Sequence, residues 1–171
     1  MCTIGQAFKN GTNRILDIFP NLLEIDIDYC DDLVELTDGL CDLVQLMKLS
    51  ITNCHKLRAL PEGIGKLVNL KVLRLTSCTD LKTLPETIGS LSQLTVNISD
   101  FLSIINMPIQ IGELHKLSKL CMRGCSSCNL PSTIKKLQHL KDVICDEETA
   151  YQWYSFNCDL TNLKRCYSLS L

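Results

Sequence analysis

Nowhere in the 171 residues does an apolar run approach the ~20 positions that a bilayer-spanning helix needs. A dominant charge is missing too. Seventeen Lys and Arg stand against 19 Asp and Glu, a formal net charge of −2. That balance gives no polyanion-binding character and argues against nucleic acid as a partner. The opening stretch MCTIGQAFKNGTNR has no charged segment followed by an apolar one, so it does not read as a secretory leader. There is no G-x-x-x-x-G-K-[ST]; Gly63-Ile64-Gly65-Lys66 runs straight into Leu67 and is no phosphate cradle. Cys125-Ser126-Ser127-Cys128 has neither a second Cys-x-x-Cys nor a His-x-x-x-His to complete a zinc site.

What the chain does have is cysteine. Eleven cysteines without a leader, an odd number, favour free thiols in a reducing compartment, and the expected location is the cytoplasm. Their placement is periodic. Cys54 is followed by Leu57, Leu60, Pro61, Ile64, Leu67 and Leu70; Cys78 is followed by Leu81, Leu84, Pro85, Ile88, Leu91 and Leu94 at the same distances. Units starting at Phe19, Leu43, Leu67, Leu91, Leu114 and Leu137 are spaced 24, 24, 24, 23 and 23 residues apart.

The unit L-x-x-L-x-x-L-x-L-x-x-C-x-x-L-x-x-L-P-x-x-I-x-x is the leucine-rich-repeat pattern. In Val72-Leu73-Arg74-Leu75-Thr76 a period of two sends Leu73 and Leu75 inward and the other three outward. One such strand buries only a stripe, so units must stack. The fold class expected is an α/β solenoid, a horseshoe with a parallel β-sheet on its concave face and turns or short helical segments on its convex face. Cys30, Cys54, Cys78 and Cys125 share one inward frame, where a thiol fills a small apolar gap and donates weakly to a neighbouring unit's carbonyl. A reactive thiol would need a base or positive field at each site, and the sequence offers none.

Two units are short by one residue, the fourth between Leu94 and Val96 and the fifth between Cys125 and Leu130. The deletion inside the fourth strand is expected to disturb its pairing, because a one-residue slip flips side chains. By organisation, residues 1–18 are a remnant of a preceding repeat or an N-terminal cap. Residues 19–146 hold about five full repeats and a partial sixth, and 147–171 form a C-terminal cap or tail gathering Tyr151, Trp153, Tyr154 and Phe156. A start on a remnant leaves the stripe of Ile25 and Ile27 poorly covered, which favours reading the chain as a fragment of a longer protein.

His55, His115 and His139 read as exposed and share no strand face with a serine or cysteine, so no hydrolytic triad is suggested. The informative positions are the outward ones: Glu24, Asp26 and Asp28; Lys48, Ser50 and Thr52; Val72, Arg74 and Thr76; Thr95, Asn97 and Ser99; Lys119, Cys121 and Arg123; Asp142, Ile144 and Asp146. All of them except Ser50, Val72, Thr95, Cys121 and Ile144 make up the candidate partner-binding set. Acidic strands flank a centre offering Lys48, Arg74, Lys119 and Arg123.

The runs IFPNLLEIDIDYCDDLVEL, SITNCHKLRALPEGIGKL, LPETIGSL and MRGCSSCNLPSTI…LKDVICDEETAYQW resemble the C-terminal leucine-rich repeats of plant intracellular immune receptors. Among these they are most similar to the helper group with a powdery-mildew-resistance-type coiled-coil domain. The resemblance implies a non-catalytic protein-recognition module in defence signalling, without cofactor or metal. The partners it implies are lipase-like immune adaptor complexes or other receptor domains. The nucleotide-binding and coiled-coil parts of that family have no counterpart here, and the tail after Tyr154 departs from its pattern. Two alternatives stay open: a truncated scaffold or decoy without a signalling role, and a thiol or metal-binding protein using the Cys121–Cys128 cluster.

Overall fold

The computed structural model describes residues 19–99, 104–156 and 162–166, with the backbone alone for 96–99 and 162–166. Residues 1–18, including Phe8, Ile15, Leu16 and Ile18, lie outside the described residues. Seven strands make one parallel sheet in sequential order: β1 Glu24–Asp28, β2 Lys48–Thr52, β3 Val72–Thr76, β4 Thr95–Ser99, β5 Lys119–Met122, β6 Asp142–Asp146 and β7 Asn162–Cys166. The register repeats the sequence frame, with Ile25 opposite Leu49, Leu49 opposite Leu73 and Leu73 opposite Val96.

Short 3-10 turns form the opposite wall, at Asp38–Asp42, Glu62–Lys66, Glu86–Ser90, Ile109–Glu113 and Ser132–Lys136. Pro61, Pro85, Pro108 and Pro131 precede four of them with φ between −64° and −73°. Proline's locked φ costs nothing there, and no amide is wasted at a helix start. Each turn ends on the leucine that begins the next unit; Leu67 N–H, for example, donates to Ile64 O at 3.0 Å. Between the two walls the repeated Leu and Ile side chains are almost wholly buried. Phe19, in the frame of those leucines, is instead 55% exposed.

Against β3 the fourth strand is not disturbed, whereas against β5 its pairing is reduced to Val96 opposite Leu120 and Asn97 opposite Cys121. All five of its residues pair with β3, from Val72 opposite Thr95 to Thr76 opposite Ser99. The reason is local. In other units one carbonyl before the strand accepts two successive N–H groups of the next unit: Met47 O takes Lys71 N–H and Val72 N–H, and Ser118 O takes Lys141 N–H and Asp142 N–H. Beside Lys71 the residue carrying the first of those amides is missing. Lys71 O accepts from Thr95 N–H at 2.7 Å and from the Thr95 hydroxyl at 2.8 Å. The hydroxyl stands in for the deleted amide, and the slip is absorbed before the strand begins. Thr95→Val should therefore cost about 1 kcal/mol in urea unfolding, whereas Thr83→Val, exposed and without such a bond, should be near neutral.

A second device ends the strands. Tyr29, Asn53 and Ser77 have φ of 51°, 54° and 53°, and Gly124 has 75°. Each precedes a cysteine of the periodic frame. The left-handed residue turns the chain so that the cysteine points inward.

A helix, α1, Glu147–Ser155, follows β6 directly. Trp153 is 1% exposed, whereas Tyr151 and Tyr154 face outward. Within the tail the backbone of β7 then continues the sheet, with Val143 opposite Leu163. No helix among the described residues is long and apolar enough to cross a membrane.

Candidate functional site: the outward face of the sheet

The cysteine frame is settled by geometry. Cys54, Cys78 and Cys128 are fully buried, and Cys125 nearly so. Cys54 Sγ–H donates to Thr52 O at 3.3 Å, and Cys78 Sγ–H lies within reach of Thr76 O and of Ile51 O in the preceding unit. Burial pushes the Cys41, Cys78 and Cys128 thiols up to about 11, away from the reactive thiolate. Cys30 departs from the expectation of uniform free thiols, because it is disulfide-bonded. Cys121 lies half-exposed on β5 while Cys125 and Cys128 point into the core, so the three do not converge. Among the described residues no group of three His, Cys, Asp or Glu is placed to hold a metal ion. His55, His115 and His139 are exposed.

On the outward face, Glu24, Asp26 and Asp28 project from β1 because its pattern alternates exposed and buried. They are not all free. Lys48 Nζ reaches Asp26 Oδ2 at 3.0 Å and Glu24 Oε2 at 3.5 Å, and the hydrogen bond to Asp26 holds the ammonium pKa above its usual range. Lys48, expected among the available central cations, is thus turned toward the first strand. Asp28 accepts from the Thr52 hydroxyl and from Asn53 Nδ2, and these two bonds lower its pKa. Pairs this exposed add little stability. Their effect is to fix side-chain positions on the first two strands.

Farther along, the face opens. Arg74 is exposed at the middle of β3, opposite Ser50 on one side and Asn97 on the other. Thr76 is half-buried and pairs with Ser99. Lys119 is exposed on β5, opposite Asp142 of β6. Neither the Arg74 guanidinium nor the Lys119 ammonium has a hydrogen-bond or ion-pair partner among the described residues.

Two expected site residues, Arg123 and Asp146, and the outward Ser50 outside that set, sit differently. Ser50 points outward but is only 6% exposed, crowded by its neighbours. Arg123 lies past the end of β5, in the turn that leads to Gly124. Asp146 is 8% exposed, because it is the residue from which α1 starts and the helix covers it. It belongs to the start of α1 and not to the open face. Asn53, missed in the sequence, reaches Asp28 only because its left-handed backbone turns the amide back toward β1.

No known protein-family profile matches the chain. Three disease-resistance proteins of Arabidopsis thaliana are similar to it: 44% identical over 46 residues, 41% over 46 and 42% over 48. These matches cover 27–28% of the chain and only 6–11% of each relative, so the chain corresponds to a small part of their length. Among solved structures, a leucine-rich-repeat protein of Leptospira interrogans superposes with a TM-score of 0.65 at 27% identity. It covers 86% of this chain and 38% of its own. The leucine-rich-repeat domain of the type III effector XopL superposes at 0.58 with 21% identity over 84% of this chain and 69% of its own, a likeness of fold alone. With the parallel sheet, the 3-10 wall and the buried leucine frame, these findings establish a leucine-rich-repeat solenoid that is similar in sequence to the repeats of plant disease-resistance proteins.

Proposed function

We propose that the chain is a non-catalytic protein-recognition module of a plant innate immune receptor, engaging its partner through the open part of the sheet's outward face. The observation that carries this reading is the contrast along the face. Carboxylates of β1 are tied to Lys48, Thr52 and Asn53, whereas Arg74 and Lys119 on β3 and β5 are exposed and have no partner among the described residues. Exposed cations without an ion pair need no existing bond broken when a partner's acceptors arrive, and only their own side-chain ordering opposes binding. The resemblance to the helper group of receptors suggests the finer assignment, namely lipase-like immune adaptor complexes as partners in the cytoplasm.

The test is co-precipitation of the chain with such adaptor complexes, comparing Arg74→Glu with Lys119→Glu against Lys136→Glu on the opposite wall. Charge reversal at exposed sites should shift stability by no more than ~0.5 kcal/mol. Lost capture in the first variant with unchanged Tm is the expected outcome. Equal capture by both variants would remove the face from consideration.

A further inference from the structure

The residue missing from the fourth unit also weakens the sheet on its far side, where β4 meets β5. In a parallel stack each unit donates to the one before it and accepts from the one after it. Leu23 O accepts from Met47 N–H and Lys48 N–H, Met47 O from Lys71 N–H and Val72 N–H, and Ser118 O from Lys141 N–H and Asp142 N–H. The carbonyl in that frame for Ser118 and Lys119 would lie between Leu94 and Thr95, where the chain has no residue. The Thr95 hydroxyl replaces the lost amide toward Lys71, but nothing replaces the lost carbonyl. No bond of this kind precedes β5 among the described residues. The ladder itself is short there, with Val96 opposite Leu120 and Asn97 opposite Cys121, against five pairs between β3 and β4 and four between β5 and β6. Elsewhere the same two units are well joined. Asn129 N–H donates to Ile105 O at 2.7 Å, and Met107 N–H to Asn129 O at 3.2 Å. In the turn wall the Thr133 hydroxyl donates to Ile109 O, and Gly112 packs against Thr133.

We infer that the β4–β5 junction is a hinge: the sheet opens there while the loop and the turn wall hold the two units together. Local opening draws on the stretch with the fewest backbone bonds. Because the bonds that remain lie on the other sides of the unit, opening is a small rotation about the turn wall and not a separation. Leu94 and Leu120, both buried beneath the strands, keep its amplitude low. The hinge divides the sheet into β1–β4 and β5–β7. Arg74 belongs to the first block and Lys119 to the second, so the spacing between these exposed cations follows the hinge. The hinge itself does not depend on the outward face being a recognition surface.

Amide hydrogen exchange of the full chain, read residue by residue, tests it. In the frame of Val72 and Asp142, whose N–H groups face the preceding unit, alternation points Cys121 N–H toward β4 and Leu120 N–H toward β6. Cys121 should exchange at least about tenfold faster than Leu120 beside it, and than Arg74, which holds the corresponding position between β2 and β3. Inserting a lysine between Leu94 and Thr95, in the frame of Lys71, restores the carbonyl. It should slow Cys121 by at least about tenfold while leaving Arg74 unchanged. Equal protection of Cys121 and Arg74 in the wild type would overturn the hinge. So would exchange of Leu120 as fast as that of Cys121, because β5 would then fray as a whole. A folded insertion variant with Cys121 as fast as before would overturn it too, since the missing residue would not be what opens the sheet. If that variant does not fold, the wild-type comparison decides.

Discussion

Gly112→Ala should lower the stability of the chain by about 2–3 kcal/mol, although it adds a single methyl group to a surface turn. A Cβ at Gly112 would lie against Thr133 O and 2.7 Å from Thr133 Cβ in the next 3-10 turn. The same frame recurs at Gly65, where it would come within 2.6 Å of Thr87 O, and at Gly89, within 2.7 Å of Gln110 O. In all three the obstacle is backbone, which cannot step aside without separating two units. At the first junction the roles reverse. Cys41 keeps its side chain and faces Gly63, whose own Cβ would come within 3.1 Å of the cysteine. One glycine per junction therefore lets the turns stack. Gly39→Ala is the control: its Cβ would meet only Thr37 Oγ1, at 3.3 Å. Its cost should stay below ~0.5 kcal/mol. Equal midpoints for the Gly39 and Gly112 variants in urea unfolding would show that the turns are not close-packed.

That frame also shows what was legible in the sequence. Period-two alternation and the LP-x-x-I segment each lie within one unit, so strand positions, inward leucines and the turn wall could all be read from the chain. The stacking glycines could not, because their necessity arises between units 24 residues apart. Lys135 occupies the glycine frame in the fifth unit, after which, among the described residues, α1 follows β6 in place of another 3-10 turn. Its ammonium lies 5.6 Å from the Phe156 ring centre. A lysine there was an available sign that no 3-10 turn is packed tightly against that position among the described residues.

The site was legible to a lesser degree. Outward positions followed from alternation, but availability depends on neighbours: Lys48 is occupied by Asp26, Ser50 is crowded, and Asp146 is covered by α1. Pairing of β4 with β3 was misjudged for a similar reason, while its pairing with β5 is indeed shortened to Val96 and Asn97. Counting residues detects a deletion, but only chemistry shows that a threonine hydroxyl replaces the lost amide. Gly124 and Asn53 were readable as residues that tolerate a left-handed backbone; Tyr29 and Ser77 were not.

Replacing Gln152 with Leu is expected to cost about 2–4 kcal/mol, since two backbone groups lose their partners together. The Gln152 carboxamide accepts from Leu130 N–H at 2.9 Å and donates to Cys128 O at 3.0 Å. Beside it the Thr149 hydroxyl, wholly buried, donates to Cys125 O at 3.2 Å. These side chains of α1 supply the partners for the Leu130 N–H and the Cys128 and Cys125 carbonyls in the fifth unit's loop. Leucine would keep the packing against the unit and leave both polar groups without partners. Gln152→Glu separates hydrogen bonding from shape. An ionised carboxylate can still accept from Leu130 N–H but repels Cys128 O; a protonated one can accept and donate. The folded-state pKa of the introduced acid should therefore be raised above its unfolded value. The recovered stability should be fully present below the unfolded pKa and lost as pH rises through the folded one. Urea midpoints from pH 4 to pH 7 should converge on the wild-type value at the acid end for the Glu variant and remain low for the Leu variant. A Glu variant whose deficit is independent of pH would show that Gln152 supports the end of the solenoid by packing alone.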